Sequence, residues 1–156
     1  MKSFNLIVSL IFAVLISGCS AMGEKYSGLI NPDSNKGVIY FYRPWKFFQG
    51  GTAPTVYIND KEQFTLKNNG YGYALVNPGN NYIRVGKAHF LSNWAGGDLI
   101  GNIKVDAKQY HFLRLDLQGG DIIPGGNSFT ITGNVGLKII PMEQALKEMK
   151  DLNSTM

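Results

Sequence analysis

From Gly37 to Ile139 the chain runs in short apolar stretches of period two, ended by Asn, Gly or Pro at intervals of about ten residues. A period of two sends alternate side chains to opposite faces of a strand, so this segment has to fold as sheet. Val38 to Tyr42 is β-branched or aromatic at every position, the pattern of a strand covered on both faces. Thr55–Asn59 and Gln63–Leu66 flank Asn59-Asp60-Lys61 and predict a hairpin. Asn69-Gly70 precedes a strand over Tyr71–Val76, and Pro78-Gly79 suits a type II turn ahead of a strand over Tyr82–Phe90. Leu99, Ile103 and Val105 mark another strand, and His111, Leu113, Leu115 and Leu117 line one face of the next. Phe129 to Ile139 continues the alternation across a turn at Gly133-Asn134. About seven to eight strands at this spacing predict a mainly β fold, a single antiparallel β-sandwich. The pattern then changes. Pro141 suits the first turn of a helix, and Met142, Ala145, Leu146, Met149 and Leu152 follow helical spacing. Glu143 and Lys147 form an i,i+4 pair on the other side, so a C-terminal amphipathic helix is expected to close the sandwich.

Cys19 is the one cysteine, so no disulfide supports this core, and thiolate metal sites and thiol catalysis within the domain are excluded. Lys2 precedes a run from Leu6 to Ile16 that is apolar apart from Ser9, and Ile16-Ser17-Gly18-Cys19 follows. The basic start, apolar core and small residues are the parts of a secretory signal, and the run is shorter than the roughly 20 residues that cross a bilayer. The end of this segment resembles the lipobox of bacterial lipoproteins. That resemblance implies cleavage after Gly18, a lipid on Cys19 and a mature chain held to the membrane by it. It also implies an outer-membrane destination with the domain facing the periplasm, because Ser20 rather than Asp follows the cysteine. Residues 1–18 are thus expected to be a signal peptide and residues 19–35 a lipidated tether, polar and without period. About 15 flexible residues would span roughly 20 Å. Residues 36–152 are expected to be the sandwich with its helix. Without Lys2 the balance is 14 basic against 11 acidic residues, a mild +3. The basic residues are spread over the chain rather than clustered, which argues against a nucleic-acid partner.

Within the domain, Val38-Ile39-Tyr40-Phe41-Tyr42-Arg43-Pro44, Val56-Tyr57-Ile58-Asn59, Val76-Asn77-Pro78-Gly79 and Gln109-Tyr110-His111-Phe112-Leu113 follow one another in this order. The series resembles the bacterial lipoproteins grouped as domain of unknown function 2846, over roughly residues 36–152. The resemblance implies a β-sandwich with a closing helix and an envelope location. It implies no catalytic residues.

Chemistry-bearing patterns are sparse. His89 and His111 are the two histidines and could pair with Asp98, Asp116 or Asp121, but neither has a partner at metal-ligand spacing. His111 shares its face with three leucines, which predicts a hydrogen-bonded core histidine. Nucleophile-elbow and phosphate-loop signatures do not occur. No enzyme, no metal and no cofactor are expected. The less ordinary segment is Arg43-Pro44-Trp45-Lys46-Phe47-Phe48-Gln49-Gly50-Gly51, three aromatics and two cations between two strands, with Trp94 in a second loop. Aromatics beside Arg or Lys anchor protein interfaces and membrane headgroups alike. Arg43, Trp45, Phe47, Phe48 and Trp94 are the candidate partner-binding residues, and the same aromatics could instead cap an open end of the sandwich. The function this supports is a non-enzymatic lipoprotein that docks another envelope component, an envelope protein in particular. A small-ligand or glycan-binding module is the alternative, since aromatics beside Asn and Asp can stack on sugars.

Overall fold

The computed structural model describes residues 20–33, 35–47, 49–88, 92–125 and 128–156, with the backbone alone for 119–134. Residues 1–19, expected to be the signal peptide and the lipidated cysteine, lie outside the described residues, as do Phe48 and His89. Nine strands and one helix are described: β1 Gly37–Arg43, β2 Thr55–Ile58, β3 Lys61–Thr65, β4 Gly70–Val76, β5 Gly79–Gly86, β6 Leu99–Val105, β7 Tyr110–Gly125, β8 Ser128–Ile139, α1 Met142–Met149 and β9 Asn153–Ser154. They form two sheets, β8-β7-β1-β4-β9 and β3-β2-β5-β6, stacked as a β-sandwich. Most neighbours are antiparallel, but β1 pairs in parallel with β7 and β4 in parallel with β9. β8 runs unbroken through Gly133-Asn134, because each residue there keeps a partner on β7.

The turn chemistry explains where the chain reverses. Asn59 and Asp60 both have positive φ, 51° and 62°, the two-residue hairpin conformation that matches strand twist. At Gly79, φ is 123°, a value that needs glycine, and the corner Asn77-Pro78 carries the chain from the first sheet to the second.

β1 is buried at every position, and each face meets a different core. Ile39 and Phe41 point between the sheets, among Val56, Phe64, Ile83, Val85, Leu113 and Leu115. Val38, Tyr40 and Tyr42 point the other way, into a cluster with Phe112, Ala145, Met149 and Leu152. Tyr40 stacks on Phe112 with ring centroids 5.4 Å apart. The helix therefore lies on the outer face of the first sheet. Pro141 is its N-cap residue, and Lys147 reaches Glu143 at 2.7 Å on the solvent side.

Residues 20–33 are not a free tether. Ser20 bridges Asn68, Ala21 N–H donates to Asn68 C=O at 2.9 Å, and Gly23 N–H and Tyr26 N–H donate to Ser154 and Leu152. Tyr26 and Ile30 close the second core, and the Tyr110 hydroxyl donates to Ile30 C=O at 2.9 Å. The segment is a strap, because its backbone finds partners on β9 and its apolar side chains find a place against β1 and β4. Among the described residues no helix is long and apolar enough to cross a membrane.

Amide hydrogen exchange should find Ala21, Gly23 and Tyr26 protected well above Met22 and Ser27 in the same segment. Uniformly fast exchange across residues 20–32 would restore the flexible tether.

Candidate docking surface

The segment from Pro44 to Pro54 joins the two sheets, and it is built around Arg43. This side chain is fully buried at the end of β1, where it turns into the protein under the loop. Its Nη1 donates to Thr52 C=O at 2.5 Å and its Nη2 to Gln49 C=O at 2.7 Å. Burial pushes the guanidinium down to about 10, so it remains protonated at neutral pH. A cation held by main-chain carbonyls fixes the path of the chain above it. Arg43 is thus a structural residue, and its expected place on the binding surface is corrected by this burial.

Two asparagines complete the frame. Lys46 N–H donates to Asn68 Oδ1 at 3.0 Å and Asn68 Nδ2 donates to Lys46 C=O at 2.9 Å, so one amide grips both main-chain groups of Lys46. From the other side Asn93 Nδ2 donates to Gly51 C=O at 2.7 Å. On this frame Trp45 is 59% exposed and Phe47 is 89% exposed. Lys46 between them is exposed as well. Phe48 lies outside the described residues.

Trp94 is the second correction. It is fully buried between the sheets and belongs to the core. Its Nε1 donates to Gly97 C=O at 2.7 Å, and Gly96 passes so close to the indole that a Cβ there would meet Cζ2. The cap reading therefore holds for Trp94 and the exposed reading for Trp45 and Phe47.

Beside the loop an open basin of about 440 Å³ is lined by Pro44, Lys46, Arg114, Asp116, Lys138 and Glu148. Arg114 donates through Nε and Nη2 to the two oxygens of Asp116 at 2.6 and 3.1 Å, and through Nη1 to Glu148 at 2.8 and 2.9 Å. Lys138 reaches Asp116 at 3.1 Å, and the Tyr42 hydroxyl donates to Glu148 at 2.7 Å. Burial works to raise both carboxyls, but hydrogen bonds from Arg114 and Lys138 hold Asp116 below its ordinary value. Those from Gln144, Arg114 and Tyr42 do the same for Glu148. The network ties α1 to β7. Its acids are engaged as acceptors rather than poised as bases, which leaves the basin a polar surface beside the aromatic loop.

Among the described residues, which leave out His89 and the side chain of Asp121, no histidine–carboxylate pair forms. Asp98 is engaged by Arg84 at 3.4 Å and Asp116 by Arg114, and among the described residues no three His, Cys, Asp or Glu converge. His111 is half-buried with its Nε2 unpartnered rather than hydrogen-bonded, and burial lowers its pKa against the pull of Asp106. A second concavity, an apolar groove of about 260 Å³, opens between β6 and β8 among Ile83, Leu99, Ile103, Leu113, Leu137 and Ile139.

Sequence reasoning missed Asn68 and Asn93, since a lone asparagine in a turn carries no signal beyond the turn itself. Arg114 could have been found: it alternates with Asp116, already a candidate partner of the histidines, opposite Leu113, Leu115 and Leu117.

Residues 33–127 match the model of a family described as a protein of unknown function, DUF2846. The match spans β1 to β7 and both loops that frame the candidate surface, and it stops before β8, α1 and β9. No curated protein matches the chain.

In urea denaturation, Trp94→Ala should cost about 3–5 kcal/mol, as a buried aromatic does. Trp45→Ala with Phe47→Ala should cost about 1 kcal/mol or less, since exposed substitutions stay within about 0.5 each. A large loss from the pair would make the loop part of the core. Acid titration gives a second check. Depressed Glu148 and Asp116 stabilise the fold above their ordinary values of 4.5 and 3.8, and that contribution is lost as pH falls through the folded values. His111, also depressed, adds a loss of the same sign that begins near its ordinary 6.5. The melting temperature should thus decline from about pH 6 and steeply below 4.5. Glu148→Gln should soften the lower step and His111→Gln the upper one, and a flat profile down to pH 3 would refute both.

Proposed function

Because the chain belongs to the DUF2846 family, a family without an assigned activity, we propose its function from its own surface: a non-enzymatic cell-envelope lipoprotein. In this reading a lipid on Cys19 anchors it to the outer membrane with the sandwich on the periplasmic side. It docks another envelope component through the β1–β2 loop. The observation that carries the docking role is the display of Trp45 and Phe47 on a loop pinned by Arg43, Asn68 and Asn93. Two exposed aromatics on a rigid frame lose little entropy on binding, which is what makes such residues anchors. The engaged acids of the basin support a binding role over a catalytic one. A second reading, a module for a small apolar ligand, is favoured by the groove between β6 and β8.

The anchor is tested by metabolic labelling with palmitate. The native chain should label and fractionate with outer membranes, while Cys19→Ser should lose the label and persist as precursor or soluble protein. A labelled, membrane-bound Cys19→Ser chain would refute it. For docking, a photo-crosslinking residue in place of Phe47 should trap an envelope component in cells, whereas one in place of exposed Lys104 on β6 should not. Equal trapping at both positions would remove the loop from the docking role.

A further inference from the structure

The strap and the aromatic loop meet at one residue. Asn68 binds Ser20 and Ala21 through its main chain and both main-chain groups of Lys46 through its side chain. Ser20 and Lys46 therefore both lie against a single asparagine. Asn153 Nδ2 adds a bond to Ala21 C=O at 3.1 Å, and Ala21 is buried against the fold. The first described residues are thus fixed to the same end of the sandwich as Trp45 and Phe47.

Cys19 is peptide-bonded to Ser20. With no slack between them, a lipid on Cys19 brings the bilayer surface to the Asn68 end of the domain, not to a point some 20 Å away. The side chains waiting there are aromatic, cationic and aromatic. A Trp ring suits the headgroup level, and a Lys can lay its stem along apolar surface with its ammonium among phosphates. Phe47, 89% exposed, supplies an apolar side chain for the acyl edge, and Met22, next to Ala21 on the strap, is 70% exposed. The covalent lipid also explains why a small contact suffices: the anchor already holds the domain at the surface, so the side chains act at a high effective concentration and need only orient it.

We propose that Trp45-Lys46-Phe47 seats in the headgroup–acyl boundary of the bilayer that holds the lipid on Cys19. The docking partner of the loop is then the membrane itself. This rests on the anchor reading above and names the component that the loop engages. The domain stands on its membrane with a defined orientation, on one covalent and one side-chain foot. Its opposite end, with the hairpin turn at Asn59-Asp60 and the corner at Pro78, faces away from the lipid.

The test uses the full chain, processed and lipidated in bacterial cells, purified in detergent and reconstituted into phosphatidylethanolamine–phosphatidylglycerol vesicles with brominated acyl chains. Trp94 is buried, so the expected quenching by bromine is that of Trp45, which the Trp45→Phe chain checks. Brominated lipid should remove the Trp45 share of the emission, one of two tryptophans, and Trp45→Phe should abolish that loss. Phe47→Asp should also abolish it, by expelling the loop, while the protein still floats with the vesicles. A chain that floats without quenching refutes the membrane foot alone and turns the loop toward a protein partner or solvent. Quenching that survives in Trp45→Phe refutes it too, since a different part of the domain then enters the bilayer. A chain that carries no palmitate and does not float refutes the anchor, and the inference falls with it.

Discussion

Everything in this fold depends on a central strand with no face to spare for water. β1 is buried along its whole length, with Ile39 and Phe41 toward one core and Val38, Tyr40 and Tyr42 toward another. A two-layer sandwich satisfies only the first of these. The second requires a cover on the outside of the sheet, which α1 supplies at one side and the N-terminal strap at the other. The tyrosines shape that cover, because each ring brings a hydroxyl that needs a partner. Tyr40 receives Ile30 N–H at 2.9 Å and Tyr42 finds Glu148, so strap and helix are each tied down by a polar bond as well as by area.

The same strand decides the loop that follows it. β1 ends in a buried arginine, and a buried cation without hydrogen bonds is costly. Gln49 and Thr52 supply their carbonyls, and to do so the chain must fold back over the guanidinium, with Gln49 in the left-handed region at φ 54°. Trp45 and Phe47 lie on the stretch that this return throws outward. Their exposure follows from satisfying Arg43 below them, not from looseness of the loop.

This division explains what was legible beforehand. The strands, the Asn59-Asp60 hairpin and the amphipathic helix were readable because each writes its period or turn chemistry locally. The double burial of β1 was readable too, in five consecutive β-formers. Pairings were not: alternation in Tyr110–Leu117 gives its inward face, but nothing local says that the strand lies parallel beside β1. The strap escaped notice because its partners on β9 are about as far away in sequence as this chain allows, and a segment held mainly by backbone bonds needs no hydrophobic period. Of the candidate site, Trp45 and Phe47 were identified correctly as aromatics between strands. Arg43 and Trp94 have the same composition signal and the opposite burial, since only the three-dimensional ends of the sheets decide which side chain turns inward.

The strap also sets an order of events. Its acceptors on Leu152 and Ser154 lie within the last five residues of the sequence, so residues 23–26 have no seat until the C-terminus has folded. Closing a loop of nearly the whole chain is a late step, because its entropy is recovered only once the intervening sheets are in place. Until then residues 23–26 lack their backbone partners at the C-terminus. Once β9 adds to β4, the same residues withdraw into the sheet edge. Seating of the N-terminal strap is in this way timed by arrival of the C-terminus.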